Sequence, residues 1–169
     1  MISRRYSFPQ LPANGQAPRQ QRGVGVKELV INLLIWIGGN SPLAFDGGSL
    51  PEIAIIVEQA EIFHVAFGEK STPAMRARGM EISGLYDYEE NRILLSDGLD
   101  LSTTKGKAVL VHELVHFLQY RAGDDRIAQC KNQLESLAYH VEAEYLEAHD
   151  DPFPFDHDHF LKIGRCPKG

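Results

Sequence analysis

The segment Lys107–Tyr120 constrains this chain more than any other feature of its sequence. As a helix, this segment has apolar side chains on nearly every side, which predicts that the helix is buried in the core. Between its two end residues lie three ionisable residues, His112, Glu113 and His116, in the order His-Glu-x-x-His. Burying such groups costs free energy unless they are hydrogen-bonded or bind a metal ion. The fold must therefore supply partners for all three.

The spacing of the two histidines suits a shared metal ion. Residues four apart lie on one face of a helix, so His112 and His116 can bind one ion from adjacent turns. Glu113 lies about 100° round the helix from His112, beside the metal without being a ligand. That position is typical of a general base acting on zinc-bound water, whose pKa zinc lowers to about 7. The motif therefore predicts a Zn²⁺ site with Glu113 as its catalytic carboxylate.

A catalytic zinc usually has three protein ligands, so a third ligand is needed. The reprolysin- and astacin-like pattern, H-E-x-x-H-x-x-G-x-x-H, is excluded because Gln119 and Ala122 occupy its last two defining positions. We expect Glu135 to be the third ligand, on a final helix predicted over residues 132–149. Glu142 lies on the same face of that helix and is the rival ligand.

Tyr139 shares this face of the final helix by its spacing from Glu135. Tyr139 or Glu142 can hydrogen-bond a ligand side chain, or can lie on the side of the metal that faces the reacting carbonyl oxygen. We include Tyr139 with Glu113 among the predicted catalytic residues. If Glu135 is the ligand, Glu142 becomes a candidate to bond the free nitrogen of a ligand histidine.

The remaining pattern is typical of an α+β fold. Helical spacing over residues 26–38 and 58–67 predicts two helices, and the apolar run 53–57 predicts a buried strand. Residues 81–86 and 92–96 predict two short strands joined by a polar turn, which together form a hairpin.

Cap residues bound the motif helix, which runs to about Ala122. Thr103 or Thr104 can cap its start, and Gly123 can close its end. We expect the small sheet to pack on this helix, with an edge strand that can bind an extended peptide by strand addition. Tyr86 and Tyr88 of the hairpin either flank a substrate cleft or shield the sheet edge.

The domain organisation follows from length and composition. The chain has 169 residues, of which 43% are hydrophobic and 24% charged, an ordinary balance for one globular domain. Residues 1–25 include a Pro-, Gln-, Gly- and Arg-rich stretch, which predicts a disordered or extended lead-in. Residues 26–169 are predicted to form a single domain.

The motif helix and the helix after it resemble a known class of enzymes. Val109–Gln119, with Glu135 in a Glu-x-x-Ala context, looks like the gluzincin branch of the zincin-like zinc metallopeptidases, in particular its minimal cores. The resemblance implies a zincin-like fold, a zinc ion bound by His112, His116 and Glu135, and hydrolysis of peptide bonds. A metalloendopeptidase and an aminopeptidase both stay open, because the chain has no G-x-M-E-N-type substrate motif.

The two cysteines, Cys130 and Cys166, fit two free thiols or a disulfide on spacing alone. Gly84–Asp87 followed by Arg92–Leu95 resembles the strand pair placed before the active-site helix in small bacterial His-Glu-x-x-His families. One such family tends to have a cysteine pair at corresponding places, so this resemblance implies the bridge.

Charge and hydropathy exclude several classes of partner. The net charge is −6 and no Lys/Arg stripe is present, which argues against nucleic acid. No apolar run reaches membrane-spanning length; the longest, Leu29–Ile37, is broken by Asn32. Ser3–Phe8 carries an arginine pair like an export signal, but no apolar core follows closely. We therefore favour the cytoplasm, with export to the periplasm or outside if the cysteines are bridged.

The leading expectation is zinc-dependent hydrolysis of a peptide or protein substrate, and two other classes stay open. One is a non-catalytic zinc-bearing interaction module, which would close the fourth coordination position. The other is a protease-like effector or regulator that acts on one partner protein. An open face of the metal beside a cleft would favour catalysis over the closed module.

Overall fold

Helices lie on both faces of a small sheet in the computed structural model. The structure describes residues 23–56, 58–68, 82–151 and 164–166. In chain order the elements are α1 (Gly23–Asn40), β1 (Glu52–Ile56), α2 (Gln59–Phe67), β2 (Gly84–Asp87), β3 (Arg92–Ser96), α3 (Thr104–Ala122), α4 (Asp124–Ile127) and α5 (Lys131–Glu147). The predicted α+β class is confirmed.

In the described part of the chain, the sheet has three strands in the order β1-β3-β2. β1 is parallel to β3, with Ile53 opposite Ile93, and β2 is antiparallel to β3, with Tyr86 opposite Ile93. The predicted hairpin is therefore confirmed. Its turn includes Asn91 at φ 49°, a left-handed conformation that asparagine tolerates better than most residues.

The two faces of the sheet contact different helices because strand side chains alternate in direction. Ile62 and Phe63 of α2 pack with Leu85 and Leu94 in one apolar cluster. The other face packs against the main core, which α1, α3 and α5 build with β2 and β3. Members of that core include Leu34, Ile37, Tyr86, Ile93, Leu95, Leu110, Leu114, Phe117, Ala138, Val141 and Tyr145.

The central element of this core is α3, which begins and ends at the predicted caps. The Thr103 hydroxyl accepts a hydrogen bond from the Gly106 N–H at 3.0 Å. Gly123 closes the helix in a left-handed conformation, φ 80°, with its N–H bonded to the Tyr120 carbonyl. Every residue from 108 to 119 is buried, as the pattern predicted. α3 contacts α5 most extensively, and also contacts β2 and α1.

Several boundaries differ from the prediction. α1 begins at Gly23, within the predicted lead-in, and residues 1–22 of that lead-in lie outside the described residues. The short helix α4 was not predicted. The final helix ends at Glu147 and not at residue 149. None of the helices in the described part of the chain is long and apolar enough to cross a membrane.

A disulfide joins Cys130 to Cys166, with their Cα atoms 5.7 Å apart. Cys130 directly precedes α5, and the Asn132 side-chain amide donates to the Arg165 carbonyl at 2.9 Å. The bridge that the resemblance implied is therefore present. It attaches residues 164–166 to the start of the helix that carries Glu135.

Candidate metal centre

Helices α3 and α5 bring the three predicted ligands together. The Nε2 atoms of His112 and His116 lie 3.2 Å apart on one face of α3. Glu135, in the second turn of α5, faces both rings: Oε2 is 3.4 Å from Nε2 of His112, and Oε1 is 3.6 Å from Nε2 of His116. Within the described residues, this is the one group of His, Cys, Asp or Glu side chains that can hold a metal ion.

The spacing of these atoms fits a single tetrahedral ion. Two ligand atoms at about 2.0–2.1 Å from such an ion are separated by about 3.4 Å, close to the distances above. Oε2 of Glu135 is buried and accepts no hydrogen bond. Buried polar atoms normally have a partner, and a cation among the three side chains would supply one. Two imidazoles and one carboxylate are also a donor set found in catalytic metal sites.

The far nitrogens of both imidazoles are already bonded. Nδ1 of His112 lies 2.9 Å from Oε2 of Glu142, and Nδ1 of His116 lies 2.8 Å from Oε1 of Gln119. Because an oxygen acceptor keeps a proton on Nδ1, Nε2 is the nitrogen of each ring that faces the metal position. Both rings are therefore oriented as metal-ligating histidines usually are.

Gln119 connects the two helices of the centre. Its side-chain oxygen contacts His116, and its amide nitrogen donates to the Leu134 carbonyl at 3.0 Å, one residue before Glu135. A single buried side chain thus orients one ligand and positions the helix segment that carries another. From the sequence alone, Gln119 indicated only that the reprolysin- and astacin-like motif is absent. Its position three residues after His116, on the same helix face, was the available signal.

The charges around the two rings favour a bound cation. Burial alone lowers the pKa of His112, but the carboxylates of Glu135 and Glu142, with Glu113 nearby, raise it to about 10. Burial raises the pKa of Glu135, yet the two imidazoles hold it well below its usual range. Burial raises the pKa of Glu142, against the opposing effect of His112. Three carboxylates thus surround one pair of imidazoles.

Glu113 lies between α3 and the sheet. It is completely buried, and its Oε2 accepts a hydrogen bond from the backbone N–H of Tyr86 at 2.8 Å. A Cβ atom on Gly84 would lie 2.9 Å from Cγ of Glu113 and 3.0 Å from Cγ1 of Val109. Close approach of β2 to α3 therefore depends on glycine at position 84. This contact holds the Glu113 carboxylate outside the three-ligand group.

Tyr139 packs directly on a predicted ligand. Its ring centroid is 4.6 Å from that of His112, with the ring planes at 72°, and its side chain is buried. The contact restrains the imidazole from the α5 side. The catalytic role assigned to Tyr139 stays a prediction.

A cavity of about 360 Å³ opens beside His116. Both predicted hairpin tyrosines are in its wall, joined by a third tyrosine from α3 and by residues from α4 and the start of α5. Its lining residues are Tyr86, Tyr88, His116, Tyr120, Asp125, Ala128, Cys130, Lys131 and Leu134. The metal centre therefore has a cleft on its His116 side.

Comparison with known proteins places the chain in one family. No curated protein and no solved structure matches it. Residues 22–167 match the family described as DUF6647, domain of unknown function, and this range includes all eight described helices and strands. The chain therefore belongs to the DUF6647 family.

Proposed function

We propose that this chain is a zinc-dependent peptidase with a zincin-like, gluzincin-type centre. The observation that carries the proposal is the convergence of two imidazoles and the Glu135 carboxylate, at distances between 3.2 and 3.6 Å, beside a cleft. Three protein ligands leave one position of a tetrahedral ion open, whereas structural zinc sites fill all four. The arrangement therefore supports catalysis over a closed interaction module.

The donor set also favours zinc over Mg²⁺ and Ca²⁺. Imidazole and carboxylate ligands at tetrahedral spacing suit zinc, whereas Mg²⁺ and Ca²⁺ prefer six or more oxygen ligands. In the proposed site His112, His116 and Glu135 hold the ion. When bound, zinc supplies a Lewis acid that makes water acidic near neutral pH and polarises a carbonyl group.

Glu113 is the proton-transfer group in the proposed reaction. Its carboxylate accepts a proton from the attacking water as the water oxygen bonds to the scissile carbonyl carbon. It then donates that proton to the amide nitrogen as the carbon–nitrogen bond breaks, which releases the amine. The Tyr86 N–H holds the carboxylate in position, and burial of Glu113 excludes competing bulk water.

The predicted strand addition at a sheet edge meets one constraint if the peptide binds along β2. The Ser83 carbonyl accepts a hydrogen bond from Ser96 of β3, so the antiparallel alternation turns the backbone groups of Gly84 and Tyr86 away from β3. The Tyr86 N–H is already bonded to Glu113. A peptide along this edge must therefore use backbone groups other than that N–H, or displace Glu113 from it.

A peptide-library assay with a matched pair of variants tests the proposal. Wild-type protein, Glu113→Gln and the exposed-acid control Glu147→Gln are each loaded with zinc and incubated with a mixed peptide library. Mass spectrometry identifies the products. We expect wild type and Glu147→Gln to cleave. Glu113→Gln keeps its zinc and slows cleavage by about 10²- to 10⁴-fold, the usual contribution of a general base.

Two results of this assay would contradict the proposal. Zinc-loaded wild type that cleaves no peptide in the library would remove the peptidase assignment. Cleavage by Glu113→Gln at the wild-type rate would remove Glu113 as the proton-transfer group.

A further inference from the structure

Three tyrosine rings form one wall of the cavity beside His116. The Tyr86 and Tyr120 ring centroids are 6.2 Å apart with the planes at 63°, and those of Tyr88 and Tyr120 are 5.5 Å apart at 31°. These are separations at which aromatic rings attract one another. All three rings line the same cavity, so a further ring entering it would extend an existing aromatic cluster.

The three rings differ in how much surface they leave uncovered. Tyr86 is only 3% exposed, and its hydroxyl donates to the Asn91 side chain. Tyr88 is 50% exposed and Tyr120 is 38% exposed. The two outer rings therefore have apolar surface that a bound group can still bury, whereas Tyr86 provides a fixed inner surface.

The other residues of the cavity wall indicate which kind of side chain the cavity can bind. Among the described lining residues, Ala128 and Leu134 add apolar surface, and the one acid, Asp125, is balanced by the one base, Lys131. The formal charges of these residues cancel, so they offer no net attraction to a charged side chain. The volume of about 360 Å³ lies near the lower end of the range for ligand pockets, roughly 300–1,000 Å³. That space suits one large side chain and its adjoining backbone.

We propose that this cavity binds an aromatic side chain of the peptide substrate, and that Tyr88 and Tyr120 determine this specificity. The inference rests on the proposed function, because it takes the centre to be a peptidase site. His116 belongs to both the metal centre and the cavity wall. A side chain bound in the cavity therefore lies next to the reacting bond, where it can select which bond is cleaved.

Binding of amino-acid hydroxamates tests the proposal without turnover. The hydroxamate group binds the zinc ion, and the side chain samples the cavity. Calorimetry on the zinc-loaded full chain compares the hydroxamates of phenylalanine, leucine and alanine. We expect phenylalanine hydroxamate to bind about 3- to 10-fold more tightly than the leucine compound, because ring–ring contacts add to the burial of apolar area.

Leucine and phenylalanine variants distinguish aromatic ring contacts from the burial of apolar area alone. Tyr88→Leu and Tyr120→Leu should each reduce the preference for phenylalanine over leucine hydroxamate toward equality. Tyr88→Phe and Tyr120→Phe keep the rings and should retain it. If Tyr120→Leu does not fold, Tyr88→Leu carries the test, since Tyr88 is half exposed.

The outcomes distinguish this inference from the function on which it rests. Equal binding of the phenylalanine and leucine compounds to wild type would overturn the inference and leave the metal site intact. A preference that survives in both leucine variants would overturn the assignment to Tyr88 and Tyr120. Failure of zinc-loaded protein to bind any of the three hydroxamates would count against the proposed function itself, and the inference would fall with it.

Discussion

α3 has two flanks, one facing α5 and one facing the sheet, and their polar side chains are hydrogen-bonded to different kinds of partner. On the α5 flank, His112 and His116 are bonded to the side chains of Glu142 and Gln119. On the sheet flank, Glu113 is bonded to a backbone N–H of β2. We infer that metal binding depends on the side-chain network between the two helices, whereas proton transfer depends on the backbone of one strand. Variants on the two flanks should therefore break these two properties separately.

The largest effect on metal binding is expected from Glu135→Gln, at the centre of the α5 flank. The substitution keeps the size of the side chain but removes its charge, so zinc affinity should fall by more than about 100-fold. That decrease exceeds the roughly 10- to 100-fold losses of metal affinity seen when groups hydrogen-bonded to metal ligands are changed. Competition with a chromophoric chelator measures the affinity. If Glu142→Gln releases the zinc and Glu135→Gln retains it, Glu135 is not the ligand.

The sheet flank is tested by Gly84→Ala, which should impair catalysis without loss of metal. The new Cβ would lie 2.9 Å from Cγ of Glu113, too close to persist, so Glu113 must shift relative to β2. Misplacement by about 1 Å can cost about 100-fold in rate, which is the decrease we expect in kcat. Zinc affinity should stay within about twofold of wild type.

The control for this variant is Gly98→Ala, whose Cβ would meet only Oγ of Ser96 at 3.9 Å. It should leave both kcat and zinc affinity unchanged. A Gly84→Ala protein with weakened zinc binding and normal turnover per bound zinc would contradict the separation of the two flanks.

The charged and neutral partners on the α5 flank provide a finer comparison. Hydrogen bonds to a carboxylate are stronger than those to a neutral amide, so Glu142→Gln should weaken zinc binding by about 100-fold and Gln119→Leu by about 10-fold. Affinity measured by chelator competition, with circular dichroism of each metal-free variant to check folding, distinguishes them. Equal losses of zinc affinity in the two variants would show that the charge of Glu142 does not make it the stronger partner.

Among the variants on the α5 flank, removal of the disulfide is expected to have the smallest effect on zinc affinity. In the chain-entropy model, a bridge across a sequence separation of 36 stabilises the fold by about 3–4 kcal/mol. Urea denaturation of zinc-loaded Cys130→Ser/Cys166→Ser should show a loss of that size. Zinc affinity should fall less than about 10-fold, because Gln119 still holds α5 at Leu134. Zinc loss as large as that of Glu135→Gln would show that the bridge positions the ligand.

Elements with several agreeing local signals were predictable from the sequence. α3 combines an apolar pattern, the Thr103 cap and the Gly123 closure, and the hairpin combines two β-rich runs around a polar turn. α4 was missed because Asp124–Ile127 is too short to show a helical period. The start of α1 was missed because Gly23 and Gly25 favour neither helix initiation nor continuation.

The ligands of the site were predictable, whereas the contacts that position His116 and Glu113 were not. Helical spacing placed His112 and His116 on one face, and the resemblance to gluzincins selected Glu135. The role of Gln119 depends on the Leu134 carbonyl, 15 residues away, and the bond from Tyr86 to Glu113 spans 27 residues. Such contacts follow from how the elements pack, which no local pattern specifies.

X-ray absorption at the zinc edge is the sharpest test of whether one zinc ion binds His112, His116 and Glu135. Protein loaded with one equivalent of zinc should show only nitrogen and oxygen neighbours, at about 2.0–2.1 Å. Outer-shell scattering should indicate two imidazoles in wild type and one in His116→Gln. A protein that retains no zinc, or a spectrum that His116→Gln leaves unchanged, would show that these three residues do not form the zinc site.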